Sequence, residues 1–155
     1  MLNFCATILA VLLPLSAHAG PPDYTKITPT CKDCTLINNV LNKFSLADPD
    51  GKRDLALKAA ELIHHVTLKD KSTEDQRREI YFSLKACVEV FDDDFDSETV
   101  VGLMELRAAA PKDFDYVFQR FPLKNQNAIV ERMKGFKEDG IGPKVALPAP
   151  KAIDP

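Results

Sequence analysis

Apolar residues recur along this chain at the spacing of a single helix face, segment after segment. Ile37, Val40, Leu41 and Phe44 fall three and four residues apart, which predicts a first helix over Cys34 to Phe44. Leu55, Ala59, Leu62 and Val66 lie at i, i+4, i+7 and i+11 and predict a second, from about Lys52 to Leu68. Ala47-Asp48-Pro49-Asp50-Gly51 reads as the turn between them, with Pro fixing φ and Gly accepting a positive φ. A third helix carries Ile80, Leu84, Cys87, Val88 and Phe91 on one stripe. Ser72 or Thr73 caps it, with Asp75 or Gln76 three residues on. Asp96 or Ser97 caps a fourth, Glu98 to Ala109. Pro111 starts a fifth, Lys112 to Arg120. Pro122 precedes a sixth, Leu123 to Lys137, which stops at Asp139-Gly140. No alternating run marks a strand. The fold class is therefore all-α: about six short helices joined by short turns, as a compact bundle or as stacked helical pairs. No internal repeat is visible, so the bundle is the simpler arrangement.

The two ends of the chain break this pattern. Asn3 to Leu15 is apolar apart from Asn3 and Thr7, and it is shorter than the roughly 20 apolar residues that span a bilayer. It closes on Ala17-His18-Ala19, small residues at the two positions a signal peptidase reads. Residues 1–19 are thus expected to be a signal peptide, and the protein to be periplasmic or secreted. Residues 20–140 form the helical domain. Residues 141–155 hold four prolines and no helical period, and read as a disordered or extended tail.

Charge narrows the partners. The net charge of −3 supplies no basic patch for nucleic acid or anionic lipid. No second long apolar stretch follows the first, so no membrane span is expected. Hydrophobic residues make up 45% of the chain, enough to build a core.

Export changes how the cysteines are read, because an oxidising compartment favours disulfides. Cys31, Cys34 and Cys87 follow the signal. Cys34 and Cys87 both fall on apolar helix faces, so a Cys34–Cys87 bridge tying helix one to helix three is expected. Cys31–Cys87 and Cys31–Cys34 are the alternatives. In the chain-entropy model, closing a loop of about 50 residues contributes about 4 kcal/mol. Cys31-Lys32-Asp33-Cys34 also invites a redox reading, since a helix start lowers a thiol pKa. Asp33 opposes the thiolate, however, and the chain lacks the strands of a thioredoxin-type fold. A zinc site from the cysteines with His64 or His65 lacks a second paired cluster. His65 instead lies four residues after Glu61, a helical pair.

The acidic segment Asp92-Asp93-Asp94-Phe95-Asp96-Ser97-Glu98 is the most unusual stretch. As a calcium loop it fails at its turn residue, where Ser97 or Thr99 stands in place of Gly. The stretch reads as a solvated turn that caps the next helix, or else Asp92, Asp93, Asp94, Phe95, Asp96 and Glu98 form a partner-binding surface, the carboxylates steering and the aromatic supplying buried area. No nucleophile elbow, zinc-protease motif or phosphate loop occurs. No enzyme activity, metal or cofactor is expected. In size, export signal and helicity over residues 20–140 the chain resembles the helical immunity proteins that protect bacteria against cell-wall amidases delivered by type VI secretion. That resemblance implies an inhibitory partner-binding role against a secreted hydrolase and carries over no individual residue. The alternative is a small-ligand or lipid carrier, suggested by the density of Phe114, Tyr116, Val117, Phe118 and Phe121.

Overall fold

The first three helices each start where a side chain accepts from a free N–H of the first turn. The computed structural model describes residues 26–90 and 96–152, the side chains of 96–98 excepted. The signal-peptide segment lies outside the described residues. Helix α1 runs Lys32–Phe44, α2 Pro49–His65, α3 Thr73–Glu89, α4 Asp96–Ala109, α5 Pro111–Phe118 and α6 Leu123–Glu138. Ser72 caps α3 by accepting from the Asp75 amide at 3.2 Å. Asp48 caps α2 by accepting from the Gly51 amide at 2.8 Å, with Pro49 in the first turn. The segment read as a turn from Ala47 to Gly51 is thus mostly helix start. Pro fits the first turn because its missing N–H is unpaired there anyway.

Contacts between helices run mainly from one to the next but one. Helices α1, α3 and α5 pack in one layer and α2, α4 and α6 in another, with α1 against α2 and α3 against α4 across them. The result is a compact six-helix bundle. Helix α3 is its centre: Glu79, Ile80, Tyr81, Phe82, Ser83 and Leu84 are six consecutive buried residues. A helix buried on more than its apolar stripe must enclose its polar positions as well. Phe82, Phe114, Phe118, Ile37, Ile63 and Leu103 fill the core. Each contributes roughly 1.5–3 kcal/mol by leaving water. Arg77 ties α3 to α5 through Asp113, Nε to Oδ1 at 2.7 Å. Among the described residues no helix is long and apolar enough to cross a membrane.

Residues 141–152 lie against the bundle in extended form. Gly140 and Gly142 turn the chain with φ of 73° and 79°, a region that L side chains avoid. Val145 and Leu147 pack on the core and Pro148 is buried. The Arg107 guanidinium, held by Asp115 at 3.0 and 3.2 Å, donates to the Ala146 carbonyl. The Gln126 side chain, 1% exposed, grips the Lys151 backbone from both sides. Its Nε2 donates to the Lys151 carbonyl at 3.1 Å, and its Oε1 accepts from the Lys151 amide at 2.9 Å. The described part of the proline-rich tail is extended and held, because two buried polar groups of the bundle take their partners from its backbone.

Two substitutions test these close contacts. A Cβ on Gly102 would meet Ile63 Cγ2 at 2.7 Å, where α2 and α4 touch. Gly102→Val is expected to cost about 1–3 kcal/mol by overpacking, read as a lower urea midpoint. Gln126→Leu strips the Lys151 backbone and the carbonyls of Gln119 and Phe121 of their partner. We expect it to cost about 2 kcal/mol and to expose the segment after Gly142 to proteolysis.

Candidate functional site

The start of α1 lies against the first third of α3, and the contact concentrates chemistry. Cys31 is the N-cap of α1. Its sulfur accepts from the Cys34 amide at 3.3 Å, and the two cysteines are joined in a disulfide with Cα atoms 5.2 Å apart. Cys34 is fully buried, whereas Cys31 is half-buried. Thr35 Oγ1 bonds the carbonyls of Pro29 and Cys31 at 3.0 Å each, and Arg78 reaches Thr30 Oγ1 at 2.7 Å. The chain on either side of Cys31 is therefore fixed.

This corrects the expected Cys34–Cys87 bridge. A Glu79 carboxylate oxygen and both sulfurs lie within 4.8 Å of one another. Cys87 lies eight residues beyond Glu79, about 12 Å further along α3. A disulfide needs Cα atoms within about 7 Å. Cys87 is a free thiol, 1% exposed, and burial pushes its pKa far up. It is an inert core residue.

Glu79 is 1% exposed. Its Oε1 accepts from the Lys71 ammonium, while its Oε2 has no hydrogen-bond partner. Lys71 also reaches Asp33 Oδ2 at 3.4 Å, so one cation joins both acids. The turn before α3 delivers that cation. Asp70 takes a left-handed φ of 61°, which a short polar side chain tolerates. Gln76 Nε2 pins the turn by donating to the carbonyls of Leu68 and Lys71 at 3.0 Å each. Burial raises the Glu79 pKa above its ordinary value, and Lys71 offsets only part of that. Burial works to lower the Lys71 pKa, but its bonds and charge contacts with Glu79 and Asp33 outweigh this and leave it raised. A metal ion would need both thiolates, which the disulfide withholds.

The other expected sites fall elsewhere. Asp92, Asp93, Asp94 and Phe95 lie outside the described residues. Asp96 and Glu98 open α4, their side chains also outside them. His64 pairs with Glu105 at 3.1 Å, and His65 contacts the Glu61 carbonyl at 2.6 Å, so neither joins the cysteines. Phe114, Val117 and Phe118 of the aromatic cluster are fully buried in the core. A half-open cleft of about 240 Å³ lies between the end of α2 and α4, lined by Ile63, His64, Gly102 and Leu106 among others. It is smaller than the roughly 300–1,000 Å³ of ordinary ligand pockets. Sequence reasoning missed Glu79 and Lys71. The available signal was Cys87 itself, since Glu79, Ser83 and Cys87 repeat every four residues on one face.

The chain matches no protein-family model, no curated protein and no solved structure.

Burial separates the three thiols by reactivity. After mild reduction of the native protein, maleimide is expected to label Cys31 first. Cys87 should react only once guanidinium has unfolded the chain, as read by peptide mass mapping.

Proposed function

We propose that this chain is an exported thiol–disulfide protein in which Cys31 and Cys34 form a reversible dithiol/disulfide pair. The observation that carries the reading is buried Glu79: one of its carboxylate oxygens lies within 4.8 Å of the sulfurs of half-buried Cys31 and fully buried Cys34, and its Oε2 has no hydrogen-bond partner. A purely structural bond within the first turn of a helix needs no carboxylate beside it, and an unpartnered buried oxygen costs about 1–3 kcal/mol. An exchange site, by contrast, needs a group that holds a proton next to the buried sulfur.

Local geometry supports the assignment of roles. Cys31 is the half-buried cysteine of the pair, and the Cys34 amide and the α1 N-terminus both favour its thiolate. Asp33 disfavours it, but Lys71 sits at 3.4 Å and offsets that charge. Strands are no requirement of the chemistry, because function belongs to the site and not to the fold carrying it.

The inhibitory, partner-binding role remains a second reading. Helix α3 ends at Glu89, ten residues and about 15 Å beyond Glu79. The acidic connection to α4 leaves from that end, so a partner held there would leave Cys31 open.

Equilibration in glutathione and dithiothreitol buffers, with thiol counting by mass, tests the redox reading. We expect reduction at a potential above the roughly −300 mV typical of structural disulfides. Cys34→Ser is expected to form a stable mixed disulfide when its Cys31 thiolate attacks oxidised glutathione and releases one glutathione thiolate, whereas Cys31→Ser should form none. A bond that resists reduction below that potential would remove the proposal.

A further inference from the structure

Resting on that reading of Cys31–Cys34, we infer that Glu79 is the proton donor to Cys34, held by Lys71, and that the site acts as an oxidant of dithiols. Only Cys31 can be attacked, because Cys34 is fully buried. A substrate thiolate attacks Cys31 Sγ and forms a new sulfur–sulfur bond to it. The Cys31–Cys34 bond breaks, and its electron pair stays on Cys34. The Glu79 carboxyl proton passes to the Cys34 sulfur, leaving the carboxylate beside Lys71. The second thiolate of the substrate then attacks the substrate's own sulfur in the mixed disulfide and expels Cys31 as a thiolate. The substrate loses two electrons and the protein gains them. A low-molecular-weight disulfide restores the pair by the reverse steps, and Glu79 takes the proton back.

The direction follows from which state leaves polar groups unpaired. In the disulfide state Glu79 Oε2 has no hydrogen-bond partner. In the dithiol state the Cys34 thiol can donate to the Glu79 carboxylate, one oxygen of which lies within 4.8 Å of its sulfur, and the Cys31 thiolate keeps its bond from the Cys34 amide. The first term, together with the strengthening of that amide hydrogen bond when its acceptor becomes an anion, stabilises the reduced form, and a disulfide whose reduced form is stabilised is an oxidant.

Glu79 is placed to hold a proton at higher pH than an ordinary carboxyl does. It faces Lys71 from the α2–α3 turn, Asp33 and the two sulfurs from α1, and Asp75 from its own helix. Arg77 of the same helix is taken up by Asp113 of α5. Burial, with Asp33 and Asp75, keeps the carboxyl protonated above the ordinary carboxylate range, and Lys71 alone opposes this. The proton-donating form is therefore lost as pH rises through the raised pKa.

The test is the reduction of the full chain by dithiothreitol across pH, with the rate divided by the dithiothreitol thiolate concentration. The wild type should show a normalised rate that falls with rising pH. Glu79→Gln should lose that limb and run about 10²-fold slower on the low-pH side. Its equilibrium should shift about tenfold toward the disulfide, which is about 30 mV for two electrons. Lys71→Met removes the opposing cation, so its limb should move to higher pH. That shift keeps the inference testable if Glu79→Gln fails to fold by circular dichroism. A wild-type disulfide that dithiothreitol does not open defeats the redox reading itself. A wild type that is reduced, with variants sharing its normalised profile and equilibrium, defeats the role of Glu79 alone.

Discussion

The enclosure of α3 is the constraint from which the rest of the structure follows. A helix with neighbours on most sides has no solvent to satisfy the polar side chains it carries. Glu79 therefore takes its partner from inside the fold, and the nearest available cation is Lys71, eight residues earlier in sequence. That cation reaches Glu79 only because the chain turns sharply at Asp70 and is pinned by Gln76. Lys71 then has charge left to hold Asp33, which fixes the first turn of α1 over Glu79. The disulfide sits where it does as a consequence of this chain of partners.

The same constraint explains the C-terminal segment. Gln126 and Arg107 are polar side chains that α6 and α4 turn inward, 1% and 8% exposed. Arg107 is neutralised by Asp115, but its remaining N–H groups and the Gln126 amide still need acceptors and a donor. An extended backbone supplies both in alternation, and proline keeps it from coiling into a helix of its own. The tail is ordered by the needs of the bundle and not by any periodicity of its own. That is why its sequence reads as featureless.

The helices were legible because their signals are local. Ile80, Leu84 and Cys87 mark a buried stripe whatever surrounds them, and Ser72 and Pro111 mark starts through their own covalent chemistry. The start of α2 was placed three residues late because Pro49 was weighed as a turn former and not as a first-turn residue capped by Asp48. The disulfide was misassigned for a different reason. Inward-facing positions on two helices do not give their heights, and Cys34 and Cys87 differ by two turns along α3. Glu79 was invisible for the same reason: a glutamate on a helix reads as solvated until the whole packing is known. The acidic stretch 92–98 gave a strong compositional signal, and residues 92–95 with the side chains of 96–98 fall outside the described residues.

The position of the bond also decides what it can do. A bridge across about 50 residues would restrict the unfolded chain by about 4 kcal/mol, and breaking it would threaten the fold. Cys31 and Cys34 are three residues apart, and the same model gives such a loop only about 2 kcal/mol. Cys34 is part of the core, but α1 is also held to α2 and α3 by Ile37, Val40 and Leu41, all beyond the disulfide along the helix. Opening it removes one covalent link within a turn already fixed by Thr35, Arg78 and Lys71. The bond can therefore break and re-form while its surroundings stay in place. That is the condition under which a buried carboxylate beside it can exchange a proton with the same sulfur in each cycle.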